Sequence, residues 1–155
     1  MSDAGGPYLF DVGVIALAHT NAPGRESALS YVKAAITGDI DVVVPSPALF
    51  GAHTVLTTYY GRSNADASRL LLNFMDAKRI HWCGRMSEDV VRGGLSQASD
   101  ANVGGWDGYY AQVARAEGVN TVLTIDDDFE RFDAFETEII LTSDEFRELN
   151  NFLGS

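Results

Sequence analysis

Cysteine and long apolar segments are scarce in this sequence of 155 residues. The one cysteine, Cys83, excludes an internal disulfide and a zinc cluster built on several cysteines. No segment approaches the ~18 consecutive apolar residues that a membrane span needs. Residues 1–13 also lack the basic segment and apolar run of a signal peptide. These absences predict a cytoplasmic protein without a membrane anchor.

Positive charge is also scarce, because 11 Lys and Arg stand against 22 Asp and Glu, and only two of the 11 are lysines. A net charge of −11 disfavours broad, charge-driven binding to nucleic-acid phosphates but leaves a specific nucleic-acid substrate open. Scattered acids with few lysines are typical of a halophile-like acidic surface, since at ~1 M salt the Debye length falls to ~3 Å and surface acids chiefly maintain hydration. A specific basic partner is the alternative explanation.

Short apolar runs alternate with segments of helical periodicity along the whole chain. With 46% hydrophobic residues, residues 1–155 can form one core, and we expect a single domain. The pattern predicts strands at 8–10, 41–45, 79–83, 119–124 and 138–141. It predicts helices at 12–19, 26–37, 47–57, 65–77, 87–98, 106–117 and 143–152, the last capped by Ser143. This alternation favours an α/β fold, a three-layer α/β/α sandwich with a short central parallel sheet.

Acidic residues follow two of the predicted strands. Asp11 comes directly after the first strand, and Asp126 and Asp128 come after the strand at 119–124. Asp107 opens the helix that precedes that second strand. Functional sites of open parallel sheets lie beyond the carboxyl ends of the strands, so we expect these carboxylates to converge.

Converging carboxylates raise one another's pKa and destabilise the fold unless a cation lies among them. Mg²⁺ or Mn²⁺ prefers such oxygen ligands and can activate water and neutralise charge on a phosphate, so hydrolysis of a phosphodiester is the natural use. Each acid also has a plain structural explanation. Asp11 can cap a helix, Asp107 can favour a helix start through the helix dipole, and the acids at 126–128 can form a turn.

Three motifs occur in the order and context of a known family. They are Tyr8-Leu9-Phe10-Asp11 with Val14, Ile15 and Ala18, then Trp106-Asp107-Gly108 with Ala111 and Ala114, then Thr124-Ile125-Asp126 with Asp128-Phe129. With these motifs the chain resembles, over essentially its whole length, the PIN domain of the VapC toxins of toxin–antitoxin pairs. That resemblance implies a metal-dependent endoribonuclease in which Asp11, Asp107 and Asp126 bind Mg²⁺ or Mn²⁺ and Asp128 assists catalysis. It also implies an RNA substrate, an antitoxin protein as partner, and a homodimer.

One acidic residue of the family pattern is missing. PIN nucleases usually carry a Glu early in the helix after the second strand, whereas residues 47–56 contain no acid and Gly51 or Ala52 occupies that position. His53 or Asp128 could compensate for the loss. The missing acid favours a second hypothesis, a degenerate PIN domain that acts as a binding or scaffold module. A third is an unrelated α/β domain whose acids are only caps and surface charges.

Overall fold

A computed structural model of the protein describes residues 6–154, apart from the side chain of Asp128. The strands of this part of the chain are β1 Tyr8–Phe10, β2 Val42–Pro45, β3 His81–Cys83, β4 Thr121–Thr124 and β5 Glu136–Ile139. The α-helices are α1 Val12–Ala18, α2 Arg25–Thr37, α3 Ala48–Thr58, α4 Asn64–Phe74, α5 Glu88–Ala101, α6 Gly105–Ala116 and α7 Ser143–Leu153. A short 3₁₀ helix, Asp128–Arg131, follows β4.

The strands form one parallel sheet in the order β3-β2-β1-β4-β5. Leu9 of β1 pairs with Val43 of β2 on one side and with Val122 of β4 on the other. The chain thus builds outward from β1 to one edge and then returns to place β4 against the other side of β1. The sheet order therefore reverses between β1 and β4, where open α/β folds place their sites.

Side chains alternate between the two faces of the sheet and enter two separate cores. On one face, Phe10 and Leu123 belong to a core that includes apolar residues of α1, α2, α3, α4 and α7. On the other face, Leu9 and Val122 belong to a core with α6 and three buried phenylalanines, Phe129, Phe132 and Phe135. Helices therefore cover both faces, and the predicted three-layer α/β/α fold class is confirmed.

Two glycines bring α5 and α6 into backbone contact. A Cβ added at Gly108 of α6 would lie 2.1 Å from the carbonyl oxygen of Gly94, and one added at Gly94 of α5 would lie 2.9 Å from the Cα of Tyr109. Such separations are too short for any side chain. The crossing therefore needs glycine at both positions, and it fixes α6, which carries Asp107 in its first turn.

The carboxyl-terminal elements differ in detail from the sequence prediction. The last strand is Glu136–Ile139 instead of 138–141, because β5 is an edge strand whose pairing with β4 begins at Glu136. The N-cap of α7 is Thr142 and not Ser143, since Thr142 forms a reciprocal capping box with Glu145.

Two further features bear on the sequence predictions. Cys83, at the end of β3, is buried, and its carbonyl accepts a 2.9 Å hydrogen bond from the backbone of Ser46. Within residues 6–154, no helix is both long and apolar enough to cross a membrane.

Candidate functional site

Asp11 connects three elements at the carboxyl end of β1. Its backbone N–H donates to the carbonyl of Leu123 in β4 at 3.0 Å, and its Oδ1 accepts from the backbone N–H of Val12 at 2.7 Å. The second bond makes Asp11 the N-cap of α1. The cap role weighed for Asp11 is therefore real, and it places a buried carboxylate where the strand order reverses.

Thr124 links Asp11 to the loop that contains Asp126. The Thr124 hydroxyl donates to Asp11 Oδ2 at 3.0 Å, and the Thr124 hydroxyl oxygen accepts from the backbone N–H of Asp126 at 3.3 Å. Thr124 itself is fully buried. This threonine belongs to the third sequence motif, but the motif alone assigned it no role. Its position two residues before Asp126, at the end of a buried strand, is the signal that could have found it.

Asp107 reaches the same region from the opposite layer. It lies in the first turn of α6 and is partly buried, where the positive end of the helix dipole favours a carboxylate. The negative charges of Asp107 and Asp126 both act on Asp11. The structure therefore brings Asp11, Asp107 and Asp126 to one end of the sheet.

The electrostatics of Asp11 are unusual for an aspartate. Burial, and then the charges of Asp107 and Asp126, raise the pKa of Asp11 from its usual 3.8 to about 7. The hydrogen bonds from Thr124 and Val12 oppose this rise but do not cancel it. Near neutral pH the buried carboxyl is thus close to the midpoint of its titration. A positive ligand can therefore readily favour its ionised form.

The three carboxylates match a hard divalent cation in chemistry. Among the side chains that the structure describes, no three His, Cys, Asp or Glu groups stand close enough together to hold a metal ion. The charges of Asp107 and of Asp126 nevertheless both act on Asp11. Carboxylate oxygens are the ligands that Mg²⁺ and Mn²⁺ take, so Asp11, Asp107 and Asp126 fit such an ion in donor type.

No protein-family model matches the sequence, and no curated protein matches it. Two solved structures are similar in fold. VapBC2 from Rickettsia felis, crystallised with a DNA fragment from its promoter, aligns with a TM-score of 0.61 and 15% identity over 84% of this chain and 96% of that one. PAE2754 from Pyrobaculum aerophilum aligns with a TM-score of 0.57 and 18% identity over 96% of each chain. The fold is PIN-like.

The sequence prediction placed Gly51 or Ala52 of α3 at the position of the missing acid. A Cβ added at Gly51 would lie 3.1 Å from Val12 Cγ2 and 3.4 Å from the hydroxyl oxygen of Tyr110. Position 51 therefore lies against Val12, the residue that directly follows Asp11. The absence of a side chain there leaves the acids without a fourth carboxylate from α3.

The His53 side chain contacts the neighbouring helix α4. It lies two residues beyond Gly51, about 200° further around α3. Its ring Nε2 lies 3.3 Å from the carbonyl oxygen of Asn64 and 3.2 Å from the hydroxyl of Ser68, both on α4. The structure therefore pairs His53 with the neighbouring helix and does not bring it to Asp11.

Asp128 is the fourth predicted catalytic residue. Its backbone begins the 3₁₀ helix Asp128–Arg131, two residues after Asp126. Its side chain lies outside the described residues, so its predicted role in catalysis stays a prediction.

Proposed function

We propose that this chain is a metal-dependent endoribonuclease similar to the toxin of a toxin–antitoxin pair, one that hydrolyses RNA phosphodiesters. The observation that carries the proposal is Asp11, a buried carboxyl at the reversal of the sheet whose pKa is raised to about 7 by burial and by Asp107 and Asp126. A buried carboxyl whose pKa is perturbed by neighbouring charges, at such a position in the sheet, is characteristic of functional sites. The PIN-like fold adds to this support because VapBC2 shares it.

Each residue has a distinct task in the proposed reaction. Asp11, Asp107 and Asp126 would hold Mg²⁺ or Mn²⁺, which when bound supplies a positive charge for the phosphate and activates water. Thr124 fixes one oxygen of Asp11 through its 3.0 Å hydrogen bond and so sets the direction of the free lone pairs. We also propose that Asp128 assists from the loop after β4.

The acidic surface must still admit an RNA phosphate. Arg69 is paired with Asp66 at 2.9 Å and is therefore already neutralised locally. Arg85 is exposed, and its carbonyl accepts a 3.1 Å hydrogen bond from Tyr109, which lies two residues after Asp107 on α6. We propose Arg85 as a phosphate contact beside the site, because a local arginine can bind a phosphate although the net charge is −11.

RNA cleavage tests this function directly. Purified protein is incubated with structured and unstructured RNA in molar KCl, with Mn²⁺, Mg²⁺ or EDTA, beside an Asp107→Asn variant prepared identically. We expect cleavage that needs the metal and disappears in the variant. Asp39→Asn is the matched control, since Asp39 is exposed and lies before β2, at the opposite end of the strands from Asp11. Absence of cleavage by folded wild type, or cleavage that Asp107→Asn retains, would contradict the proposal.

The proposed partners follow from the same likeness. The VapBC2 structure is a complex on promoter DNA, and we propose for this chain an antitoxin protein as inhibitor, a homodimer, and a cytoplasmic location for a single domain of residues 1–155. Light scattering of the purified chain would report a dimer as twice the 16.8 kDa chain mass.

A binding or scaffold module without nuclease activity is the second candidate. Gly51 favours it, because the position that faces Val12 supplies no carboxylate. The lack of a compact three-residue metal cluster among the described side chains favours it as well. In the cleavage experiment this candidate predicts no metal-dependent product from wild-type protein that is folded.

A further inference from the structure

The hydroxyl of Tyr110 has no hydrogen-bond partner among the described residues. Tyr110 is only 1% exposed, so solvent does not satisfy this group. Burying a hydroxyl without a partner destabilises a fold, and native proteins place most buried hydroxyls against an acceptor or a water. An orphan at this depth therefore points to a partner that the described side chains do not supply.

The aromatic ring of Tyr110 stacks against two other rings. Trp106 stacks at a centroid distance of 5.9 Å and an interplanar angle of 24°, and Phe129 stacks at 6.4 Å and 29°. These contacts fix the ring without any bond from the hydroxyl. The position of the hydroxyl is therefore set in advance by packing.

That position is beside the acidic residues. Tyr110 follows Asp107 by three residues, which places both on one face of α6. Burial, and then the charges of Asp11 and Asp107, raise the pKa of Tyr110 far above its usual value, so the phenol stays protonated and can donate. Its oxygen also lies 3.4 Å from the point where a Cβ of Gly51 would be. The hydroxyl thus lies in contact with the point where a side chain at position 51 would begin.

We propose that the Tyr110 hydroxyl substitutes for the missing acid of α3, as a neutral donor of a hydrogen bond to the carboxylate or water oxygens around a divalent cation held by Asp11 and Asp107. This inference rests on the proposed metal chemistry and deepens it. Tyr110 is a positioning residue in this arrangement, because it acts through oxygens that bind the ion. Gly51 and Tyr110 then belong together, because position 51 carries no side chain and the phenol of Tyr110 takes the place of a carboxylate.

Tyr110→Phe removes only the hydroxyl, and Tyr109→Phe is the matched control. Tyr109 is also buried and aromatic, but its hydroxyl already donates to the carbonyl of Arg85 at 3.1 Å. Mn²⁺ affinity is measured by electron paramagnetic resonance, and thermal stability is measured in EDTA. We expect Tyr110→Phe to lower Mn²⁺ affinity about 10-fold or more while the metal-free Tm stays equal or rises, because an unsatisfied buried group is lost. We expect Tyr109→Phe to show the reverse, an unchanged affinity and a lower Tm.

A spectroscopic measurement on the wild type keeps the test independent of any variant's folding. Addition of Mg²⁺ to the wild type should produce a red-shifted tyrosine difference spectrum in the ultraviolet, because a phenol that gains an acceptor absorbs at longer wavelength. The signal should persist in Tyr109→Phe and vanish in Tyr110→Phe. Its absence in wild type that binds the ion would overturn the inference.

The outcomes separate this inference from the function on which it rests. If wild type binds Mn²⁺, Asp107→Asn abolishes the binding and Tyr110→Phe retains full affinity, the role of Tyr110 is overturned while the metal site stands. If wild type binds no Mn²⁺, or if Asp107→Asn binds Mn²⁺ as well as wild type does, the metal site and the role of Tyr110 are both overturned.

Discussion

Asp11 and Glu145 have the same kind of hydrogen bonds and opposite electrostatics. Each carboxylate lies at a helix start, and each accepts one bond from a backbone N–H and one from a hydroxyl. For Asp11 the donors are Val12 and Thr124, and for Glu145 they are Thr142 at 2.9 Å and Ser27 at 2.7 Å. Yet the pKa of Asp11 is raised to about 7, while the pKa of Glu145 is lowered, first by the bond from Thr142.

The surroundings explain the difference between these two acids. Glu145 lies near the surface, so desolvation is a minor effect and its hydrogen bonds decide the direction. Asp11 is buried and has two other carboxylates nearby, so burial and repulsion outweigh equivalent bonds. The same pair of hydrogen bonds therefore accompanies an ionised carboxylate that stabilises the fold at α7 and one that destabilises it at α1. A buried acid that the fold tolerates at such a cost is a candidate for chemistry.

The largest effect should come from removing the charge of Asp11. Asp11→Asn keeps the amide oxygen that can cap α1 but removes a metal ligand, and we expect metal-dependent RNA cleavage to fall on the order of 10³-fold, equivalent to about 4 kcal/mol of transition-state stabilisation. Initial rates at saturating Mn²⁺ measure this. Asp39→Asn, which removes an equal but exposed charge, should cleave like wild type. Equal rates for wild type and Asp11→Asn would remove Asp11 from the reaction.

The pH dependence of stability should separate the two acids next. In EDTA, Asp11 keeps its proton in the folded protein up to about pH 7 but loses it near pH 4 in the unfolded chain, so the free energy of unfolding should fall as pH rises from about 4 through 7. A pKa rise from 3.8 to about 7 corresponds to about 4 kcal/mol, at about 1.4 kcal/mol per pH unit. Urea unfolding of wild type and Asp11→Asn at each pH measures the difference.

Glu145 should make the free energy of unfolding depend on pH in the opposite direction. Its folded pKa is lowered, so its contribution is present above the unfolded pKa and is lost as pH falls through that range. Glu145→Gln should therefore remove stability at neutral pH, whereas Asp11→Asn should add it. Parallel pH profiles for both variants would show that burial does not distinguish these carboxylates.

The smallest effect should come from the cap of α7. Thr142→Ala removes the hydroxyl that accepts from the Glu145 backbone N–H at 3.1 Å, and we expect a loss of about 1 kcal/mol in the free energy of unfolding. Chemical denaturation measures it. Ser143→Ala is the matched control, because Ser143 is the first residue of the helix and not its cap. An equal loss in Ser143→Ala would contradict the observed capping box.

The sequence predicted elements correctly where the hydrophobic periodicity and the residues that end an element agree. The three apolar residues before Asp11 predicted a buried strand and the position of the acid at its end, and both are observed. The order of strands and helices was enough to predict a parallel sheet with two covered faces. At β5 the apolar residues 139–141 led to a predicted strand two residues too late. An edge strand with exposed side chains is defined by its backbone pairing and not by apolar residues.

Hydroxyl groups were the part of the site that sequence reasoning missed. The bond from Thr124 to Asp11 joins residues 113 positions apart, and no local pattern encodes it. Tyr110 is buried, and the end of its side chain is placed by Trp106, Phe129 and the space left by Gly51. The capping box at Thr142 was missed as well, because the cap was predicted at Ser143, although a Thr followed three residues later by Glu is a recognisable capping signal.

The solitary thiol of Cys83 is a natural reporter of partial unfolding. It is the one thiol of the chain, and it is buried at the end of β3, an edge strand of the sheet. A thiol reagent can modify it only when this edge opens, so the modification rate measures the free energy of that opening without any engineered label. Recorded across KCl concentrations, the rate would show how far the excess negative charge of the surface loosens this edge at low ionic strength.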